Sequence, residues 1–165
     1  MSVFKSQFSR ALKVLKSDNA NVPFPAPVVS GTNTSLVNFQ LVDSNADFIS
    51  AGVKTGDIVY GNTGGSAATV VSVDSATVLV LNTTIFGSTG DSYTVYQASP
   101  QTTIGNQGCN LYIGNNGGDP VNVKVTTIGG DIVTFFFVPV GTVLPVQVIK
   151  VWETDTTASQ IIALW

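Results

Sequence analysis

Few residues in this chain have the types and spacing that catalysis or metal binding requires. The sequence of 165 residues contains no histidine, which is the commonest general base and metal ligand. The stretch from Asp43 to Asp47 offers oxygen ligands to a cation, but it lacks the spacing and the final glutamate of an EF-hand loop. Turns in which its Asp and Asn side chains bind the nearby backbone explain it better.

Three further groups of residues suggest chemistry, and each has a simpler structural explanation. The run NNGGD at residues 115–119 offers oxygen atoms to Ca²⁺, yet an Asn-Gly turn explains it fully. Gly105 and Gly108 lack the following lysine and helix of a phosphate loop. Four tyrosines suggest a sugar-binding face, although tyrosine is ordinary in strands: Tyr60, Tyr93, Tyr96 and Tyr112. We therefore expect a protein that is not an enzyme and that uses no cofactor or metal.

Cys109 is the only cysteine, so the sequence predicts no disulfide within the chain and no cysteine metal site. A small, buried apolar role is the simplest explanation of it. No apolar run approaches the roughly 20 residues of a membrane span, and cations interrupt any apolar centre of a signal peptide. We expect a soluble protein made in a reducing cytosol, with neither a membrane nor nucleic acid as its partner.

The composition predicts an all-β protein, because β-branched residues are frequent and Gly and Asn punctuate the chain. Only 10% of the residues are charged and 44% are hydrophobic, which argues against disorder and suggests that much of the surface is covered. We predict an N-terminal basic arm with a proline-rich linker at residues 1–29, a small β-barrel or curled-sheet module at 30–97, and a C-terminal antiparallel β-sandwich at 98–165.

The arm carries charge of one sign. The first sixteen residues contain four cations and no acid, whereas the remainder contains three lysines and ten acids, for a net charge of −7. This asymmetry suggests docking on an acidic partner, although cations that merely keep an apolar end soluble explain it equally well. Residues 2–16 allow a short amphipathic helix, with an extended arm as the alternative. We expect the arm to contribute little to the stability of the body and to bind a partner through Phe4, Phe8, Arg10 and Lys13.

The most informative stretch is residues 129–152, which predicts a hairpin in which two long strands, joined by a turn at 139–141, pair with each other. Both strands are apolar on both faces, whereas a strand with one face in water alternates apolar and polar residues. Either a second layer of the protein or another subunit must cover the second face. We predict a subunit interface, and we add the aromatic residue that ends the sequence; the predicted contacts are Phe135, Phe136, Phe137, Trp152 and Trp165.

Motifs at the two ends of the chain carry a family resemblance. They are V-x-x-S-D at residues 14–18, LYIG at 111–114, GGDIVTF at 129–135, VPVGTVLP at 138–145 and IALW at 162–165. In order and spacing they resemble the head-spike base family of virion structural proteins from tailed phages and gene-transfer agents.

The resemblance covers about residues 11–22 and 108–165, with a phage-type β-module inserted at about 30–97. It implies a non-enzymatic structural protein that forms homo-oligomers at a capsid vertex of the virion, as a head-spike base or decoration protein. The implied partners are the major capsid protein, a spike fibre, or neck and tail proteins. The alternatives are a neck or tail connector or adaptor, and a glycan- or receptor-binding module.

Overall fold

A computed structural model of the protein describes residues 8–98, 101–102, 105–106, 108–115 and 117–165. It confirms the all-β class, with fourteen strands and no helix in these ranges. The branched and flat side chains that dominate the strands fit a pleated surface. The strands are β1 Ala11–Lys13, β2 Pro27–Thr32, β3 Gln40–Val42, β4 Ile58–Gly61, β5 Ser66–Ser75, β6 Val78–Leu81, β7 Ser92–Tyr96, β8 Gln101–Thr102, β9 Gly105–Asn106, β10 Cys109–Tyr112, β11 Val121–Thr127, β12 Ile132–Val138, β13 Val143–Val151 and β14 Ile162–Leu164.

Sheet A joins strands from both ends of the chain in the order β1-β14-β10-β13-β11-β12, with every pair antiparallel. β13 links its two halves, because residues 143–148 pair with β10 and residues 148–151 pair with β11. Side chains from both halves share one core. Its buried members are Val14, Val22, Cys109, Leu111, Ile113, Val121, Val123, Val125, Val138, Leu144, Val148, Val151, Ala158, Ile161 and Ala163.

Sheet B lies in the middle of the chain and has the order β2-β7-β4-β5-β6-β3. β5 pairs with β4 through residues 66–69 and with β6 through residues 70–75, where two register shifts occur. Such shifts bend a strand and increase its twist, which gives the curled module that the sequence predicts. The boundaries at residues 29 and 97 stay predictions. The separate core of sheet B contains Leu41, Phe48, Val53, Val59, Ala68, Val70, Leu79, Leu81, Ile85, Phe86, Tyr93 and Val95.

The predicted pairing of two strands within residues 129–152 is wrong, although both strands exist. β12 pairs with β11 and β11 pairs with β13, so β11 lies between the two strands. The turn that follows β12 explains the difference. The Gly141 N–H donates to the Ile113 carbonyl, and the Ile113 N–H donates to the Thr142 carbonyl, both at 2.8 Å. These bonds direct the chain to β10 instead of back along β12.

The N-terminal arm is extended where the structure describes it, so of the two predicted conformations the extended one is correct for residues 8–16. β1 pairs antiparallel with β14, and Arg10 and Trp165 exchange backbone hydrogen bonds of 3.1 and 2.9 Å. The edge of β14 offers backbone partners, whereas an isolated helix of this length is marginal in water. Residues 1–7, which include the predicted contact Phe4, lie outside the described ranges.

The arm packs on the chain's own body, contrary to the expectation that it contributes little to stability. Val14 and Val22 belong to the core of sheet A, and each is only 5% exposed. Leu12 and Leu15 pack against a smaller cluster of buried side chains, which contains Ala20, Ile58, Tyr60 and Ala67. The arm therefore contacts side chains of both sheets.

The turn at residues 17–20, here called the clasp, connects the arm to sheet B. The Ser17 hydroxyl is buried and donates to the Ala67 carbonyl at 3.1 Å. The Asn82 side-chain amide donates to the Asn19 carbonyl at 2.6 Å. Ala67 lies in β5 and Asn82 directly follows β6, and neither strand is an edge of sheet B. The clasp therefore holds the arm against interior strands of that sheet.

Asp18 attaches the clasp to sheet A. Its carboxylate accepts hydrogen bonds from the Glu153 and Thr154 N–H groups at 3.0 Å and from the Thr154 hydroxyl at 2.5 Å. The Lys150 ammonium donates to the Asp18 carbonyl at 2.6 Å. These donors stabilise the charged form of Asp18 and so lower the pKa of its carboxyl below the usual value. The Thr154 hydroxyl has the largest effect, and the Thr154 N–H has the next largest.

Replacing Val14 by Ala should lower the free energy of unfolding by about 2 kcal/mol, because it removes buried methyl groups and leaves a cavity. Guanidinium-induced unfolding measures this change. Lys13→Ala is the matched control, since Lys13 is the exposed neighbour in the arm and should change stability by less than about 0.5 kcal/mol. Equal effects of the two substitutions would contradict the packing of the arm on the body.

Asp18→Asn should lower the free energy of unfolding by about 1 kcal/mol near neutral pH, because it weakens solvent-accessible, charge-assisted hydrogen bonds. The folded-state pKa of Asp18 is lowered, so its stabilisation is present above the unfolded pKa of about 3.9 and is lost as the pH falls through the folded value. Urea unfolding at a series of pH values should show the difference between the two proteins shrinking below about pH 4. A difference that stays constant down to about pH 2 would show that the charge of Asp18 is not involved.

Candidate functional site

β12 is an edge strand of sheet A that no other strand of the described ranges covers, and it lacks the features that normally block an edge. It is seven residues long, IVTFFFV, with neither a charged residue nor proline. The other edges of the two six-stranded sheets are less suited to pairing, since β1 and β3 have three residues each and β2 begins with Pro27. An unprotected edge is a template for another strand. β12 is therefore the part of the described chain best suited to bind another chain.

Large apolar side chains are exposed along this edge. The exposed fractions are 58% for Ile132, 39% for Val133, 65% for Phe136 and 77% for Phe137. Together with Thr134 they form what is here called the β12 surface. Single exposed apolar residues are normal, but several large ones within one short strand make that strand a candidate contact site.

The outer side of the β12 backbone also offers hydrogen bonds. The Asp131 carbonyl accepts the Thr127 N–H at 2.9 Å, so the backbone groups of Asp131 point toward β11. Those of Val133 and Phe135, two and four residues later in the strand, point the same way. Successive residues of a strand point their N–H and C=O groups to opposite sides. Those of Ile132, Thr134 and Phe136 therefore point away from sheet A, where the described residues place no further strand.

A β-bulge near the end of β12 brings Phe137 into solvent beside Phe136, which already faces outward by the regular alternation of the strand. Val121 lies opposite Val138 and Val123 lies opposite Phe135, so β12 has one residue more than β11 between these pairs. In a regular strand, residues three positions apart lie on opposite faces. The extra residue lets Phe135 and Val138 both pack with the core of sheet A, and it leaves the two phenylalanines between them exposed.

Within this bulge, Phe137 itself adopts a left-handed backbone conformation that normally requires glycine. Its φ is 55°, and its N–H donates to the Asn122 side-chain oxygen at 3.3 Å. A left-handed conformation costs a residue with a side chain roughly 1–2 kcal/mol, and glycine is usual at this point of such a bulge. Backbone strain collects at functional positions, and here it accompanies the most exposed large hydrophobic side chain of the described residues.

A groove of about 390 Å³ lies beside the Phe136 ring. Its other lining residues are Asn122, Thr134, Asp155 and Thr157. An aromatic ring next to amide, hydroxyl and carboxylate groups can accept a polar chain segment or a sugar. The groove extends the β12 surface to the side of the strand.

Sheet B exposes a smaller apolar tip at residues 36–39. Leu36, Val37 and Phe39 are 50%, 43% and 54% exposed. Phe39 is also left-handed, with a φ of 60°, and its N–H donates to the Thr84 hydroxyl at 2.9 Å. The tip adjoins only the short strand β3, so it offers less backbone pairing than β12.

The structure separates the predicted interface residues. Phe136 and Phe137 lie together on the β12 surface, whereas Phe135 turns inward against the core of sheet A. On the arm, Phe8 is 37% exposed and Lys13 is exposed. The interface role of the aromatic residues of β12 stays a prediction, but two of them are free to contact another molecule.

Three other predicted contacts have partners within the chain. The Arg10 guanidinium lies 5.2 Å from the centre of the Phe24 ring, and Phe24 meets the Trp165 ring edge-on at 6.0 Å. The Lys150 ammonium lies 4.0 Å from the centre of the Trp152 ring. Both tryptophans are half-buried, so these internal contacts explain a good part of their apolar surface.

Sequence reasoning missed Ile132, Thr134 and Asn122 as members of the site. The absence of charge and proline from residues 132–138 could have pointed to Ile132 and Thr134, since edge strands normally carry a charged residue or proline. Asn122 had no signal, because its contact with the Phe137 backbone depends on the bulge.

The residues first considered for chemistry have structural roles. The Asn45 N–H donates to Asp43 Oδ1 at 2.9 Å, which confirms the turn interpretation. Tyr60 and Tyr93 are buried, and the Tyr93 hydroxyl donates to Asp43 at 2.7 Å, so a tyrosine face for sugars would lack both. Burial raises the pKa of the Cys109 thiol to about 12. The described residues contain no group of three His, Cys, Asp or Glu that could hold a metal ion, and no helix among them is long and apolar enough to cross a membrane.

Comparisons with known proteins leave the family of the chain open. No family model, no curated protein and no solved structure matches it. The function is therefore best inferred from the geometry of the β12 surface, together with the motifs at the two ends of the sequence.

Phe137→Gly should leave the folded chain equally stable or stabilise it by up to about 1 kcal/mol, because glycine relieves the left-handed strain and little burial is lost. Urea unfolding measures the effect. Phe136→Gly is the matched control. Phe136, the residue before Phe137, has an ordinary strand conformation, so glycine at position 136 should lower the free energy of unfolding by about 1 kcal/mol. Equal destabilisation by both substitutions would show that the bulge is not strained.

Proposed function

We propose that this chain is a non-enzymatic structural protein that acts by assembling with other protein chains, and that the β12 surface is its assembly contact. The observation that carries the proposal is the free, uncharged edge strand with Phe136 and Phe137 exposed beside it. Covering this edge pairs backbone groups and buries aromatic rings together. Both effects favour a protein strand as the partner over a small molecule.

At a finer level, we propose a virion protein of a tailed phage, a head-spike base or decoration protein that multimerises at a capsid vertex. What supports this level is the resemblance of the end motifs to the head-spike base family. The partners are then other copies of the chain and the major capsid, fibre, neck or tail proteins. A connector or adaptor of the neck or tail would use the same surface.

A glycan-binding role is the second candidate, favoured by the groove beside Phe136. Its lining combines the aromatic ring with Asn122, Asp155 and Thr157, and such polar groups beside a ring suit sugar hydroxyls. A glycan-array screen of the wild-type chain separates the two roles. Binding that Phe136→Ser abolishes would favour the glycan role.

Changing both Phe136 and Phe137 to Ser should weaken assembly at least tenfold without lowering the thermal stability of the monomer. Full burial of each ring is worth about 1.5–3 kcal/mol, and about 1.4 kcal/mol is a tenfold change in an equilibrium constant. Sedimentation velocity over a concentration series measures self-association, and co-purification with particles from infected cells measures incorporation.

Ile49→Ser is the matched control, because Ile49 is 62% exposed in a turn that belongs to sheet B. It removes a comparable apolar side chain away from β12 and should leave self-association and incorporation unchanged. A double phenylalanine variant that behaves like the wild type in both measurements would overturn the assembly function.

A further inference from the structure

The outer side of β12 is complementary to a second β12 that runs in the opposite direction. We propose that two copies of this chain pair through β12 about a twofold axis at Thr134, which joins their two A sheets into one continuous sheet. The inference rests on the proposed assembly role of the β12 surface, and it names the partner as a second copy of the chain. It also specifies the register of the contact.

With the axis at Thr134, the outward backbone groups of the two strands match. Ile132, Thr134 and Phe136 carry these groups. Ile132 of one copy then lies opposite Phe136 of the second copy, and Thr134 lies opposite Thr134 of the second copy. Opposite residues of this kind exchange two hydrogen bonds in an antiparallel ladder, so three such pairs satisfy every outward N–H and C=O group between residues 132 and 136.

The side chains of this register are compatible on both faces. On the outer face, Ile132 meets Phe136 of the second copy on either side of the central threonine pair. On the core face, Val133, which is 39% exposed, meets Phe135 of the second copy. Aromatic with β-branched and Thr with Thr are favourable cross-strand pairs. Residues 132–138 contain no ionisable side chain, so the pairing brings no like charges together.

The bulge determines this register and limits pairing at this edge to two copies. The left-handed Phe137 ends the extended segment, so pairing stops at Phe136. A shift by two residues in one direction leaves Phe136 opposite the turn before β12, and a shift in the other direction brings the bulge into the ladder. A twofold contact uses the same patch on both copies. No third copy can therefore add at this edge, which prevents open-ended strand addition.

The available area predicts a reversible dimer. Taking roughly 200 Å² for a whole aromatic side chain and somewhat less for Ile and Val, the exposed fractions of Ile132, Val133, Phe136 and Phe137 give at most roughly 450 Å² per copy. Edge pairing covers only part of this surface, because side chains on the outer face stay partly in water, so the contact falls below the roughly 1,000 Å² of stable specific interfaces. Self-association should therefore depend on protein concentration.

Cysteine cross-linking tests the register directly. In an antiparallel ladder the two Thr134 Cα atoms would be about 5.5 Å apart, which is within the range of disulfides. Full-length Thr134→Cys protein should therefore form a disulfide-linked dimer on mild oxidation, seen on a non-reducing gel. Ile132→Cys is the matched control and should not cross-link alone, because its Cα would lie roughly 14 Å along the strand from its counterpart. The native Cys109 is buried and only 2% exposed, so it should not contribute.

A second pair of variants keeps the test decisive if Thr134→Cys folds poorly. Ile132→Cys mixed with Phe136→Cys should give the heterodimer, because these positions face each other in the proposed register. Absence of a dimer in both experiments, with the thiols reactive and the chains folded, overturns the twofold pairing. If the Phe136 and Phe137 double variant still loses assembly in that case, the proposed function stands with another partner. If assembly is also unaffected by that variant, both proposals fall.

Discussion

The arrangement of the two sheets depends on the clasp, which begins at the buried Ser17 hydroxyl. This hydroxyl donates to the Ala67 carbonyl of sheet B and accepts the N–H groups of Asn19 and Ala20 at 3.1 Å. Its hydrogen-bonding capacity is thereby used, as buried polar groups require. Removing one partner of a buried polar group costs about 1–3 kcal/mol. Because Asp18, the next residue, binds sheet A, separating the sheets would break both sets of bonds.

The position of the arm decides which part of sheet A is open to other molecules. β1 covers the edge of β14, and the arm continues into the core and the clasp. The arm is thus largely used within its own chain over the residues that the structure describes. The opposite edge, β12, has no such cover there. The proposed assembly contact lies at β12 for a structural reason, since pairing at this edge would satisfy backbone groups and bury aromatic rings together.

The bulge in β12 exposes the Phe137 ring at a cost to the stability of the folded chain. With glycine at position 137, the same bulge would form without strain, and Phe135 and Val138 would still reach the core. The sequence instead places a phenylalanine there, held by Asn122, at a cost of roughly 1–2 kcal/mol. A ring that stabilises the monomer little and strains its backbone is consistent with the proposed contact outside the monomer. Proteins commonly accept lower stability at positions of this kind.

The sequence by itself determined the all-β class, the two apolar strands within residues 129–152, and the aromatic run that contains Phe136 and Phe137. These properties follow from composition and from period-two patterns, which are local. Only the tertiary structure decided that β12 pairs with β11, that a bulge turns Phe137 outward beside Phe136, and that the arm is a strand. Strand partners and bulges depend on residues far apart in the chain, and a short amphipathic segment takes the conformation of the edge it meets. For the same reason Asn122 could be assigned to the site only after the register of β11 and β12 was known.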